Sequence, residues 1–201
     1  MKLLVYPLLI FVSIISLTAC SETDINQEEF ADWKQKNETY FANLYQTAKG
    51  NTAKYKILKN WSLTTEKATK AEDHIVVEIL KNGTGSGCPL YTDSVAVHYE
   101  GRLIPSSTYS GGYTFDKTWA GDYNLQTMKP AILSSSKTVD GFTTALMSMH
   151  IGDRWRVYIP YQLGYGSSTQ AKANIPGYST LVFDITLIAY GRAGTKLPIV
   201  Q

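Results

Sequence analysis

The chain has 201 residues, of which 44% are hydrophobic, so it is long enough for one domain with a packed core and additional segments. Charged residues make up 18% and the formal net charge is +2, which gives no support for a nucleic-acid-binding protein because such proteins usually present a basic face. The two cysteines, Cys20 and Cys88, form neither a CxxC motif nor a Cys/His spacing typical of a metal site. We therefore expect no metal and no cofactor, and we interpret Cys88 as a passive thiol.

The N-terminus has the pattern of an export signal. Lys2 precedes an apolar run from Leu3 to Leu17, which is shorter than the roughly 20 apolar residues that span a bilayer. The run ends in Leu-Thr-Ala-Cys at positions 17–20, which resembles a bacterial lipobox, so we predict a signal peptide over 1–19 and a diacylglyceryl group on Cys20. The alternative is an ordinary cleavable signal that contains a cysteine.

Lipidation would decide where the protein is located. Several acyl chains hold a protein on a membrane far better than one, since each buried CH₂ contributes about 0.8 kcal/mol. Ser21 after the cysteine is typical of proteins sent to the outer membrane. We therefore expect a lipid-anchored protein in the cell envelope, on the outer membrane of a Gram-negative bacterium.

Residues 20–72 are predicted to form an acidic tether and a helical N-terminal extension. Residues 21–32 contain no Lys or Arg and are interpreted as a solvated tether that leads into a helix. Large side chains recur at helical spacing over 28–48, and Gly50-Asn51 marks the end of that helix. The helix either docks on the following domain or pairs weakly with a second copy, and docking is favoured because one short helix rarely dimerises alone. Residues 51–72 are expected to be a short helix or a linker.

From residue 73 the pattern favours β-structure. Four segments alternate or are rich in branched residues, namely 74–80, 94–99, 154–159 and 180–188. Val139–Met149 has the apolar spacing of one short helix. Many strands with a single helix predict an α+β domain in which an antiparallel sheet wraps one helix. We place this domain at 73–191 and a C-terminal tail at 192–201.

Seven short motifs follow one another through this domain. They are Val97–Gly101, Phe115-Asp116, Val139–Phe142, Met149–Asp153, Leu163–Gly166, Ile175–Gly177 and Leu181–Asp184. Each is weak alone, but the ordered set resembles the FKBP-type (immunophilin) peptidyl-prolyl cis-trans isomerases over residues 73–190. The resemblance implies a half-wrapped antiparallel sheet around one short helix, with an apolar pocket between them.

The resemblance also implies the site residues. The catalytic set would be Tyr99, Phe115, Asp116 and Tyr165, and the substrate-binding set would be Val139, Phe142, Ile175 and Phe183. By position, Phe142 would form the pocket floor, while the Tyr165 hydroxyl and the Val139 N–H would donate to the substrate. Asp116 would interact with the carbonyl carbon or order Tyr99. Without the resemblance, Tyr99, Phe142 and Phe183 would be interpreted as core residues and Asp116 as a turn residue.

Two stretches depart from the family pattern because they are longer than usual, namely Gly101–Phe115 and Asp116–Leu133. An aromatic residue that commonly lines the pocket falls in the second stretch and has no clear counterpart in this sequence. Lys129 and Ala131 are the candidates for that wall.

The expected function is isomerisation of X–Pro bonds in proline-containing polypeptides, which assists folding of exported or envelope proteins. The uncatalysed rotation takes about tens to hundreds of seconds, and an apolar pocket disfavours the polar planar amide relative to its twisted transition state. The alternative is a non-catalytic FKBP-like chaperone or peptide-binding module, which the aromatic insert near Tyr109–Tyr113 would serve by enlarging the binding surface.

Overall fold

The computed structural model describes residues 29–197, and within them seven strands join in one antiparallel sheet. The strand order is β1-β2-β6-β7-β3-β4, and β5 pairs with β3 beside β4. The strands are β1 (Tyr55–Lys59), β2 (His74–Lys81), β3 (Ser94–Leu103), β4 (Thr114–Lys117), β5 (Ala131–Ser134), β6 (Arg154–Ile159) and β7 (Leu181–Gly191). This architecture is the predicted α+β fold.

Helix α2 (Asp140–Leu146) lies against the sheet, and every residue after Asp140 is buried. Gly141 permits the close approach, because a Cβ atom at this position would lie 2.3 Å from Cγ2 of Ile159 in β6. Leu146, Trp155, Val157 and Ile185 are among the buried side chains of the core between them. The short helix is therefore fixed in position relative to the strands that carry the candidate site.

Helix α1 (Trp33–Gly50) packs on the same domain through Trp33, Asn37, Phe41 and Ala48. The indole Nε1 of Trp33 donates a 2.8 Å hydrogen bond to the Ser179 hydroxyl. The Asn37 side chain is fully buried, and its Oδ1 accepts a 2.7 Å hydrogen bond from the backbone N–H of Thr180. The helix thus docks on the domain, which is the alternative that was favoured from the sequence. Self-association through this helix stays a prediction.

The expectation of a short helix or linker over 51–72 is wrong for its first part. Residues Tyr55–Lys59 form β1, in which Ile57 lies opposite Val76 of β2. The lysines of this edge strand weaken its apolar pattern in the sequence, although only Lys56 is exposed while Tyr55 and Ile57 are half-buried against the domain. The sheet thus begins before residue 73, and the predicted domain limits stay a prediction.

The solvated tether proposed for 21–32 is also incorrect at Glu29, whose side chain is buried. Its carboxylate accepts hydrogen bonds from Ser107 and Thr108, so this acidic residue is part of the packed structure. The proposed signal peptide and Cys20 lie outside the described residues. In the part of the chain that is described, no helix combines the length and apolarity needed to cross a membrane.

Candidate active site

All eight predicted site residues line one cavity of about 480 Å³. The cavity opens between α2, the central strands and the loop that precedes β7. Its remaining lining residues are Leu133, Lys137, Thr138, Lys172 and Ala173. The volume falls within the roughly 300–1,000 Å³ that is usual for small-ligand pockets.

Four aromatic rings form the floor and sides of this cavity. Phe142 of α2 and Phe183 of β7 meet edge to face, with ring centroids 5.0 Å apart at 87°. Tyr99 of β3 contacts both, at centroid distances of 5.8 Å and 6.0 Å. Phe115 of β4 packs on Phe183 at 5.5 Å. Such pairs contribute about 0.5–1.5 kcal/mol each beyond area burial, so the rings hold one another in place.

Gly101 gives these rings the room they need. It lies in β3 between Phe183 of β7 and Asp116 of β4. A Cβ atom here would come within 2.5 Å of ring carbons of both Phe115 and Phe183. Gly101 belongs to one of the seven motifs, but no local pattern in the sequence indicates its role, because its contacts are made across the sheet.

Tyr99 and Asp116 form the polar edge of the cavity. The Tyr99 hydroxyl donates a 2.7 Å hydrogen bond to Oδ2 of Asp116. Burial, and then the hydrogen bond to Asp116, raises the pKa of Tyr99 well above its ordinary value. The hydroxyl therefore stays protonated at neutral pH. Asp116 was expected either to interact with the substrate carbonyl carbon or to order Tyr99, and the hydrogen bond corresponds to the second of these.

A folded loop supplies Tyr165 and Ile175. Gly166 adopts a positive φ of 63°, which turns the chain directly after Tyr165. Ile175 is buried, and it pairs with Gln170 through backbone hydrogen bonds of 2.8 Å and 3.2 Å. Tyr165 is 40% exposed, and burial of the remainder raises its pKa. Its hydroxyl makes no hydrogen bond to any residue within 29–197, so it is free to donate to a ligand.

Leu133 completes the wall for which Lys129 and Ala131 were the candidates. Neither of those two residues lines the cavity. Ala131 shares a face of β5 with Leu133, because side chains alternate along a strand, but only Leu133, which has the longer side chain, is part of the lining. Val139 lies at the next corner, where it precedes α2 and its carbonyl accepts a 3.0 Å hydrogen bond from the Thr143 N–H.

An ion pair between the buried Asp184 and the half-buried Arg156 fixes β7 directly behind the cavity. Asp184 follows Phe183 and faces the opposite side of the sheet. Its carboxylate accepts hydrogen bonds of 2.6 Å and 2.9 Å from Arg156 and one of 3.4 Å from Arg102. Hydrogen bonding to Asp184 raises the pKa of Arg156. Because the buried Asp184 carboxylate is paired with two half-buried arginines, the strands are held together without an unpartnered buried charge.

The cavity can bind a ligand and surround it with a largely apolar environment, but it is not arranged for nucleophilic attack. Its three charged residues, Asp116, Lys137 and Lys172, are exposed. Between residues 29 and 197, no three His, Cys, Asp or Glu side chains converge in a way that could hold a metal ion. Cys88 is not part of the cavity lining; its Sγ lies 3.9 Å from Nε2 of His150, and burial raises the pKa of its thiol.

Comparison with known sequences identifies relatives of this domain. Residues 88–188 match the family described as FKBP-type peptidyl-prolyl cis-trans isomerase. The chain is 34% identical over 127 residues to the macrophage infectivity potentiator of Trypanosoma cruzi. The matched region covers 63% of this chain and 58% of that protein. It is 31% identical over 123 residues to an FKBP-type 22 kDa peptidyl-prolyl cis-trans isomerase of Escherichia coli, covering 61% and 53%.

A third relative is the outer membrane protein MIP of Legionella longbeachae, at 34% identity over 133 residues, covering 63% of this chain and 51% of that protein. The chain thus spans about half the length of these curated relatives. Among solved structures, a peptidyl-prolyl cis-trans isomerase from Pseudomonas syringae pv. tomato superposes with a TM-score of 0.54 and 25% identity, covering 86% of this chain and 98% of that one.

Proposed function

We propose, from the premise that this chain belongs to the family of FKBP-type peptidyl-prolyl cis-trans isomerases, that it catalyses rotation about X–Pro bonds in polypeptides. The observation that carries the proposal is the cavity itself. Aromatic rings from three strands and α2, together with Val139 and Ile175, surround one apolar space. That space has the size and character needed to hold a proline ring.

The mechanism follows from the polarity of the amide. A planar X–Pro amide has a larger dipole than one twisted halfway between cis and trans. Transfer from water into an apolar cavity therefore costs the planar ground state more than the transition state, and only such differential stabilisation accelerates a reaction. Every 1.36 kcal/mol removed from the barrier raises the rate about tenfold. No bond is formed to the protein.

Polar groups at the rim would orient the substrate. We assign the Tyr165 hydroxyl as donor to the substrate carbonyl, supported by its exposure and its protonated state. The N–H of Val139 is the second proposed donor. Tyr99, held by Asp116, would close one side so that the proline ring enters in a single orientation.

A protease-coupled isomerisation assay on an Ala-Pro peptide tests the activity. The proposal predicts that the slow phase, which reports cis-to-trans conversion, accelerates in proportion to protein concentration. A slow phase at the uncatalysed rate, with the peptide nevertheless bound, would instead select a chaperone or peptide-binding module.

We also propose that the protein acts in the cell envelope, on exported or envelope proteins. The name of the Legionella longbeachae relative places that protein in the outer membrane, and the lipobox-like residues 17–20 supply a means of anchoring here. Membrane fractionation of Cys20→Ser tests the anchor, with Cys88→Ser as the matched control. Release of Cys20→Ser alone is expected, whereas equal retention of both variants would contradict anchoring through Cys20.

A further inference from the structure

A second hollow of about 440 Å³ lies next to the candidate active site. We call it the flanking groove and define it by Phe30, Tyr109, Tyr113, Ala171, Asn174 and Pro176. The aromatic insert before β4 forms one side, the loop before β7 forms the other, and residues 29 and 30 close one end. The activity proposed above uses none of these residues.

The groove and the active-site cavity share two walls. Along the loop before β7, Ala173 and Ile175 line the cavity, whereas Asn174 and Pro176 line the groove. On the other side, Tyr113 lines the groove and Phe115, two residues later, lines the cavity. The two hollows are thus separated by the width of one chain segment. A polypeptide whose proline occupies the cavity can therefore reach the groove within a few residues, at about 3.3 Å per extended residue.

The shared wall is held in place before any ligand binds. The Asn174 side chain donates a 3.2 Å hydrogen bond to the Tyr113 hydroxyl, which ties the loop to the insert. The Pro176 carbonyl accepts a 2.6 Å hydrogen bond from the Ser179 hydroxyl, which in turn accepts one from Trp33 of α1. Because these contacts fix the walls in advance, binding in the groove has little ordering cost.

Residue Glu29 holds the insert through hydrogen bonds. Its carboxylate accepts a 2.7 Å hydrogen bond from the Ser107 hydroxyl and a 3.2 Å bond from the Thr108 N–H. Hydrogen bonds from Ser106, Thr108 and Ser107 lower the pKa of Glu29 to about 2. Glu29, Thr108 and Thr169 are also part of the groove lining. Because Glu29 is only 7% exposed and its carboxylate is hydrogen-bonded to the insert, the groove still offers a ligand mainly ring and aliphatic surface.

The lining determines which side chain the groove would accept. Tyr109 and Tyr113 meet edge to face with centroids 5.2 Å apart, and Tyr109 is 41% exposed. No Lys or Arg is part of the lining within the described chain, so an acidic side chain would find no partner. We propose that the flanking groove is a specificity subsite that binds an aromatic or large aliphatic side chain of the same substrate, near its proline. This inference rests on the proposed function.

A peptide series tests the subsite. Each peptide carries Ala-Pro and has Phe, Lys or Gly placed two, three or four residues before or after the proline. At one spacing, Phe is expected to lower KM about threefold to tenfold relative to Gly, the range expected for one aromatic contact. Tyr109→Ala should abolish that gain and leave turnover of the Gly peptides unchanged, whereas Tyr109→Phe, which keeps the ring, should retain it.

Several outcomes would overturn the subsite while the proposed function stands. They are equal KM values for Phe and Gly at every spacing, an equal gain from Lys, or a Phe gain that survives Tyr109→Ala. A gain that appears only after deletion of residues 21–27 would assign the groove to the chain's own segment instead. Conversely, Phe-dependent peptide binding by fluorescence anisotropy, with no turnover of any peptide, would refute the proposed function and retain the subsite.

Discussion

The hydroxyl of Tyr99 and the carboxylate of Asp116 are joined by a 2.7 Å hydrogen bond that links β3 to β4 at the edge of the candidate active site. The bond fixes the Tyr99 ring against Phe142 and Phe183, so a polar contact at the rim determines the shape of an apolar cavity. Asp116 is exposed, and its contribution therefore concerns geometry more than stability.

The first prediction is that Tyr99 and Asp116 act as one unit. Tyr99→Phe and Asp116→Ala should each lower kcat/KM by about threefold to tenfold, the worth of one hydrogen bond of roughly 0.5–1.5 kcal/mol. The double variant should be no worse than the poorer single variant, because residues in contact are not additive. Protease-coupled kinetics measure this, and fully additive losses would contradict the prediction.

Gly101→Ala should damage the site directly. The new methyl group would press on Phe115 and Phe183, and overpacking of this kind costs about 1–3 kcal/mol in stability. We expect kcat/KM to fall by at least about tenfold, since the displaced rings form the cavity. Gly111→Ala is the matched control, because a Cβ atom there meets nothing within 4 Å. Equal activity of the two variants would show that ring placement is unimportant.

Tyr165→Phe isolates the proposed hydroxyl donor, because the ring stays and only the oxygen is removed. Loss of one hydrogen bond of about 0.5–1.5 kcal/mol predicts a decrease in kcat/KM of about threefold to tenfold. The urea midpoint should not change, since the hydroxyl has no partner within residues 29–197. Unchanged turnover would remove the role assigned to Tyr165.

Glu29→Gln should show a pH-dependent loss of stability. Hydrogen bonding lowers the pKa of Glu29 from 4.5 to about 2, so the carboxylate stabilises the folded chain above pH 4.5. That contribution is lost as the pH falls from 4.5 towards 2. Urea midpoints should therefore differ between the wild type and Glu29→Gln at pH 7 and converge near pH 2, with the exposed Asp32→Asn as control. A constant difference at all pH values would contradict this linkage.

The sequence predicts the central strands well and the edge strands poorly. Alternation alone predicts a strand over residues 154–159, and β6 has the same bounds, because the strand is paired on both sides. By contrast, β4 and β5 have four residues each and were not predicted. Such short segments carry little periodic signal, and their pairing with β3 depends on tertiary contacts.

The residues of the candidate site also fall into two groups, those that the sequence predicts and those that only the folded structure identifies. The ordered motifs implied eight residues, and the structure brings all eight to one cavity. Leu133 and Gly101 were missed because their importance depends on distances across the sheet. The contact of Glu29 with Thr108 joins residues far apart in the chain, which no local pattern of acidic residues could indicate.

The most direct measurement is NMR exchange spectroscopy on an Ala-Pro peptide, which reports cis–trans interconversion without a protease. If the cavity lowers the barrier by surrounding the amide, catalytic amounts of the chain should shorten the interconversion time from about tens to hundreds of seconds to below a second. A peptide that binds in the cavity, displaces the signals of Phe142 and Phe183 and yet interconverts at the uncatalysed rate would contradict the account.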